Sequence, residues 1–353
     1  MHMPEGRLAQ ALLAWFEGAA RAMPWRGQSD PYKIWISEIM LQQTRVEAAT
    51  GYYLRFVSEL PDVRALAEVP EDRLLKLWEG LGYYSRARNL QRAARLMLER
   101  FDGQMPRTAA GLRELPGVGD YTAGAVASIA YNECVPAVDG NVLRVMTRVL
   151  NDEGDILRPD TRRRISSAVM REQPPDRPGD FNQALMELGA LVCLPQRPKC
   201  GECPLAAFCA ARRENRQGEL PVKKAPAPRK AEERTVFVLC AGEYTALRRR
   251  PPRGLLAGLW ELPSCPGRLD RAQALAQAEQ WGLAPLAIAP LEGYTHVFTH
   301  REWVMTGFLV QAAACAGPFE WAEKERLRAD MALPSAFQGF QRQAEEQKKE
   351  SGV

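Results

Sequence analysis

Two carboxylates sit in segments of opposite character. In "IWISEIMLQQT", Glu38 lies one turn after Ile34 and Trp35 and one turn before Leu41, so a helix places it among apolar neighbours. Burial there raises a carboxyl pKa and keeps the proton on. In "VDGNV", Asp139 precedes a helix that starts near Asn141, where the helix dipole favours the ionised form. Each has an ordinary alternative: a boundary glutamate whose head reaches water, and an aspartate that only caps a helix. Together they supply what cleavage of a glycosidic bond needs, a held proton and an anion facing a developing cation.

Two further segments could carry chemistry. "LPGVG" precedes the Ala-rich "DYTAGAVASIAYN". Gly117 and Gly119, flanking Val118, let the backbone turn tightly and bring N–H groups to a phosphate, with the next helix adding its positive end. A plain turn between two helices is the alternative. Cys193, Cys200, Cys203 and Cys209 follow a C-x6-C-x2-C-x5-C spacing. Four thiols in one loop suit tetrahedral zinc or a four-cysteine [4Fe–4S] cluster, and a single C-x2-C pair favours the cluster. Arg197 and Lys199 inside that loop either face a nucleic-acid backbone or are solvated. The isolated Cys134, Cys240, Cys265 and Cys315 read as small buried hydrophobes.

The elements that must position these groups divide in two. Residues 5–211 read as successive helices, one opened by Asp30 and Pro31, one carrying Leu74, Leu77 and Trp78, one presenting Val142, Val145, Met146 and Val149 on a single face. A Pro-rich, charged linker spans 212–234. From 235 to 342, short strands ("TVFVLCAG", "YTALRRR", "HREWVMTGFLVQA", part of "LLAGLWELP") surround one helix in "RLDRAQALAQAEQWGL". Residues 343–353 read as a fraying polar tail. At 353 residues, 46% hydrophobic and 25% charged, the chain has material for two cores, and its net charge of +4 permits a nucleic-acid partner without requiring one. No apolar run reaches the roughly 18–20 residues that span a bilayer. A reducing, cytoplasmic setting is expected, nucleoid-associated if the source is bacterial.

With these residues in order, the chain resembles the endonuclease III superfamily of base-excision glycosylases. "SEIMLQQT", "GLGYYSRARNL", "LPGVGDYTAG", "VDGNV" and "FNQALMELGALVC" resemble its adenine DNA glycosylase branch, densely over 8–210 and more loosely beyond. The resemblance implies a multidomain fold, an all-α helix-hairpin-helix domain with a [4Fe–4S] loop followed by an α+β Nudix-like domain. It implies removal of adenine opposite 8-oxoguanine or G from double-stranded DNA by a monomer. Glu38 falls at the general acid, Asp139 at the carboxylate that faces C1′, and Asn141 at its polar partner. Tyr121 stands where lyase-competent relatives carry a lysine, which implies a monofunctional enzyme. Trp25, Arg26 and Gln183 fall in the adenine pocket; Gln43 at the wedge into the vacated stack; Thr44, Leu81 and Tyr83 around 8-oxoguanine. Gly117, Val118 and Gly119 form the hairpin. Phe298, Thr299 and His300 fall at a lesion-recognition loop that reads F-S-H in the family, with threonine for serine here.

Alternatives are a bifunctional glycosylase/lyase, a catalytically silent lesion binder and a Nudix hydrolase. The last needs G-x5-E-x7-R-E-x2-E-E-x-G to hold Mg²⁺, and the helix after "GLWELP" offers only Asp270 and Glu279.

Overall fold

The computed structural model describes residues 6–224 and 228–350. The helices are α1 (Arg7–Ala19), α2 (Pro31–Leu41), α3 (Val46–Glu59), α4 (Val63–Glu68), α5 (Glu71–Leu77), α6 (Ser85–Arg100), α7 (Ala109–Leu112), α8 (Asp120–Tyr131), α9 (Gly140–Leu150), α10 (Pro159–Glu172), α11 (Pro178–Leu191), α12 (Ala210–Arg213), α13 (Arg271–Gln280), α14 (Lys324–Asp330) and α15 (Ser335–Glu350). The strands are β1 (Lys230–Ala241), β2 (Tyr244–Arg249), β3 (Trp260–Glu261), β4 (Ser264–Pro266), β5 (Pro285–Val297), β6 (Arg301–Ala312) and β7 (Glu320–Glu323).

Two compact units result. One comprises 6–68 and 88–224; the other takes 69–87, with α5, together with 228–350.

In the first unit, local chemistry starts the helices that matter. Asp30 caps α2 by accepting from Tyr32 N at 3.0 Å, with Pro31 at the first helical position. The Ala- and Gly-rich sequence of α8 is a packing requirement. A Cβ on Gly124 would meet Pro136 O at 2.2 Å, so a neighbouring backbone passes directly over this helix. Gly179 of α11 is equally tight, its hypothetical Cβ 2.6 Å from Ser128 O. The apolar face of α9 (Val142, Val145, Met146, Val149) meets Leu12 and Phe16 of α1 and Phe181, Leu185 and Leu188 of α11 in one core.

The second unit is built on a sheet of order β3-β2-β1-β6-β5, with β4 on β1 and β7 on β2. β1 and β6 run parallel; β5 and β6 form an antiparallel hairpin. The period-2 alternation of β1 serves both faces. Phe237 and Leu239 pack with Ala274 and Ala278 of α13, while Val236 and Val238 pack with Trp303, Phe337 and Phe340 on the other side. Asp270 is spent on capping α13, accepting from Gln273 N at 2.9 Å.

Several expectations are corrected. β5 was not anticipated, because Pro285, Pro290 and Gly293 interrupt its pattern; an edge strand tolerates them. Residues 343–350 are the last turns of α15, where Ala344 is buried and Gln343 accepts from Glu292 N at 2.7 Å. The expected linker already contains part of α12 and the start of β1, although 225–227 lie outside the described residues. Of the isolated cysteines only Cys240 is buried; Cys315 is exposed.

Candidate active site

Residues of α2, α8, α9 and α11 line one cavity of about 770 Å³. Glu38 comes from α2 and is only 7% exposed. Tyr121, in the first turn of α8, donates its phenol proton to Glu38 Oε2 at 2.5 Å, with Met186 Sδ 3.6 Å from the same hydroxyl. Burial pushes Glu38 up to about 7; the Tyr121 hydrogen bond pulls the other way and the nearby Asp139 adds to the rise. Burial, then the Glu38 charge, likewise pushes the Tyr121 phenol well above its ordinary value.

Asp139 is the N-cap of α9. Its Oδ1 accepts from Val142 N at 2.7 Å and its Oδ2 from Asn141 Nδ2 at 2.9 Å. Asn141 in turn accepts from Arg144, which also donates to Gly189 O and to Cys193 O. The helix terminus alone does not set the pKa of Asp139. Burial raises Asp139, and the bonds from Val142 and Asn141 only partly offset it. The asymmetry with Glu38 survives in degree, because several donors and Arg144 oppose the rise at Asp139 whereas Glu38 has one phenol.

Trp25, Arg26, Gln43, Thr44, Asn141 and Gln183 line the same cavity. Trp25 is pinned edge-on to Tyr53, with centroids 5.2 Å apart. Gln43 is exposed and holds φ 60°, a left-handed conformation costly for a residue with a Cβ, so the turn after α2 is committed to presenting it. Sequence reasoning missed Glu187 and Arg21. Glu187 accepts from Arg21 Nε at 2.7 Å and from Arg26 at 3.1 Å. Burial works to raise Glu187, but the two guanidinium groups win and leave it below its ordinary value. The one available signal was its spacing four residues after Gln183 on α11. Among the described residues Arg26 Nε has no acceptor, which leaves a free donor beside the cavity.

The hairpin lies elsewhere in this unit. Gly117 has φ +80°, and a Cβ there would lie 2.6 Å from Asn89 Cβ, so glycine is required twice over. Gly119 is different: among the described residues nothing lies within 4 Å of its hypothetical Cβ, leaving the approach to the α8 N-terminus open. Val118 is buried and anchors the turn, its N–H on Leu115 O at 3.1 Å. Asp120 faces away into an exposed pair with Arg113 at 3.1 Å.

In the second unit, Phe298, Thr299 and His300 make the β5–β6 turn, closed by Phe298 N on Arg301 O at 2.8 Å. Phe298 stands edge-on to both His296 and Trp303. Thr299 Oγ1 donates to Tyr83 OH at 3.4 Å. Leu81 is buried, whereas Tyr83 is 46% exposed.

The four cysteines line one cavity together with Arg148, Lys199 and Gln217. They face it from its walls; among the described residues no three His, Cys, Asp or Glu side chains converge on a single-ion position. The donor set fits an iron–sulfur cluster. Arg148, 1% exposed, donates to Cys193 Sγ at 3.3 Å and to the carbonyls of Leu194, Pro195 and Leu220, a fixed cation beside thiolate charge. Replacing Arg148 with leucine strands these acceptors and should cost on the order of 3 kcal/mol or more. Reduced iron content per chain and a lower Tm are the expected readings; full iron retention would count against this role.

Comparison with known proteins agrees with this architecture. Residues 36–171 match the HhH-GPD superfamily of base excision DNA repair proteins, 193–209 the iron–sulfur binding domain of endonuclease III, and 235–343 the NUDIX domain. A thermostable thymine-DNA glycosylase superposes with a TM-score of 0.53 at 27% identity, over 58% of this chain and 94% of that one. The class is therefore a helix-hairpin-helix base-excision repair glycosylase with an iron–sulfur segment and a C-terminal NUDIX domain. The adenine DNA glycosylase of Mus musculus is 35% identical, covering 94% of this chain and 77% of the relative. That of Rattus norvegicus is 37% identical, covering 82% and 67%. The chain belongs to the adenine DNA glycosylase family.

Proposed function

We propose that the chain is a monofunctional glycosylase, acting as a monomer, that flips adenine opposite 8-oxoguanine or G out of duplex DNA and hydrolyses its glycosidic bond. The observation that carries this is Glu38, buried and raised to about 7, sharing one cavity with the hydrogen-bonded Asp139. A stacked base cannot reach that cavity, so the nucleotide must leave the duplex at a cost of a few kcal/mol. The exposed Gln43 fills the gap, and Trp25, Gln183, Arg26 and Glu187 supply an aromatic wall with donors and an acceptor for the base.

Protonated Glu38 gives its proton to adenine N7. The C1′–N9 bond then breaks with its electrons leaving on the neutral base. Asp139 faces the cation that develops at C1′, and Asn141 holds its oxygen in place. Water adds to C1′ and its proton returns to the Glu38 carboxylate, restoring the acid. Tyr121 fixes the Glu38 carboxyl and, being a phenol, has no amine to form a Schiff base with the opened sugar. The iron–sulfur cluster, when bound by the four cysteines, supplies structure to the loop and no proton. In the second unit, Tyr83 and the Phe298–His300 turn read the opposite base, with Leu81 supporting them from within.

The test is a duplex with one A opposite 8-oxoguanine, analysed before and after alkali. Abasic product that breaks mainly after alkali is expected. Scission without alkali at the rate of base release would show the lyase instead, and binding without base release the silent binder.

A further inference from the structure

The turn bearing Leu81 and Tyr83 comes from the helical half of the sequence but is built into the other unit. α5 leads into it, and the side chains of Lys76 and Glu79 both hold one stretch of backbone. Lys76 Nζ donates to Leu327 O at 3.3 Å and to Met331 O at 3.1 Å, the open carbonyls at the end of α14. Glu79 Oε1 accepts from Leu333 N at 2.7 Å, and its Oε2 pairs with Lys76 at 2.7 Å. The side chains are 13% and 19% exposed, so solvent screens this contact little. Leu327, Met331 and Leu333 are themselves buried.

The turn beyond is stiff. Gly80, Gly82 and Tyr83 all hold positive φ. Trp78 Nε1 donates to Gly82 O at 3.0 Å, while Arg86 donates to the carbonyls of Leu81 and Gly82 and lies over the rings of Trp78 and Tyr83. A rigid turn on a fixed clamp can have its Tyr83 hydroxyl placed only where the clamp puts it, and that is against Thr299.

We propose that Lys76 and Glu79 are positioning residues for reading the base opposite the excised adenine: their grip on residues 327–333 makes the Gly80–Tyr83 turn and the Phe298–His300 turn one body. This rests on the proposed reading of those turns. It assigns the part of opposite-base recognition carried by Leu81, Tyr83 and the Phe298–His300 turn to the unit that includes 69–87, and base removal to the other.

The experiment compares single-turnover base release from A:8-oxoguanine and A:G duplexes, with Tm recorded for each variant. Lys76→Met keeps the stem and removes the ammonium. Its preference for 8-oxoguanine over G should fall roughly tenfold, with release from A:G unchanged, and Lys76→Arg should restore much of it. Asp72→Asn, at an exposed pair with Arg249, should leave the preference intact. Should Lys76→Met fail to fold, Glu79→Gln carries the same comparison. A variant that keeps the full preference, or loses both substrates equally, overturns the clamp. Wild type showing no preference overturns instead the lesion-reading function on which the clamp rests, so the two failures are distinguishable.

Discussion

Replacing Glu38 with glutamine should abolish base release and at the same time stabilise the protein. The side chain is nearly isosteric and can still accept the Tyr121 proton, so the cavity keeps its shape. What disappears is the proton donor, and general acid catalysis of this kind is worth roughly 10²–10⁴-fold. The stability effect follows from burial. The folded-state pKa of about 7 lies above the ordinary 4.5, so between those values the native state binds more protons than the unfolded chain. Stability is therefore full below pH 4.5 and declines as pH rises to about 7. At about 1.36 kcal/mol per pH unit, the wild type loses roughly 3 kcal/mol across that window. Glutamine does not titrate, so its Tm should exceed wild type above pH 7 and converge towards it in acid. The same pKa predicts that wild-type base release falls as pH rises through about 7. Duplex affinity should stay close to wild type. Near-normal turnover would remove Glu38 from the acid role, and an unchanged Tm at high pH would mean its carboxylate is solvated after all.

This coupling of stability and proton donation explains which parts of the site could be read from sequence. Burial of Glu38 was legible because Ile34 and Trp35 lie one turn away on the same helix, and helical spacing is local. The cap at Asp139 and the cysteine spacing are local too. The role of Tyr121 was only half legible. Its lack of an amine is visible in the sequence, but its bond to Glu38 joins residues 83 apart in the chain. The Glu187 bridges to Arg21 and Arg26 span 166 and 161 residues, and nothing in any one segment marks them.

The same distinction governs the fold. α2, α9 and α13 announce themselves through Asp30, Asp139 and Asp270 at their caps. The polar run from 343 onward reads as a tail, yet it continues α15, in which Phe337, Phe340 and Ala344 recur on one face and are buried. The allegiance of 69–87 is fixed by Lys76 reaching backbone 251 and 255 residues away, a contact no local pattern encodes. Sequence thus shows which residues could do chemistry, while the long-range polar contacts decide which of them share a body.

Asp139→Asn tests that division at its most demanding point. Asparagine caps helices about as well as aspartate, so Val142 N can keep its acceptor and α9 should start where it does now. The other side-chain atom is the difficulty. Where Oδ2 accepts from Asn141 Nδ2, the variant would place a second amide donor. Asn141 can turn its oxygen towards it only by withdrawing that oxygen from Arg144. One hydrogen bond is lost either way, about 1 kcal/mol of stability. The catalytic loss is far larger, because the variant has no charge to face the cation at C1′. Unit charges about 4 Å apart attract by roughly 4 kcal/mol at an effective dielectric near 20. That corresponds to a fall of roughly 10³-fold in single-turnover base release. The two readouts therefore separate the roles: a small shift in Tm with a collapse in rate supports the charge, whereas a large drop in Tm with a rate that recovers on cooling would reduce Asp139 to a helix cap.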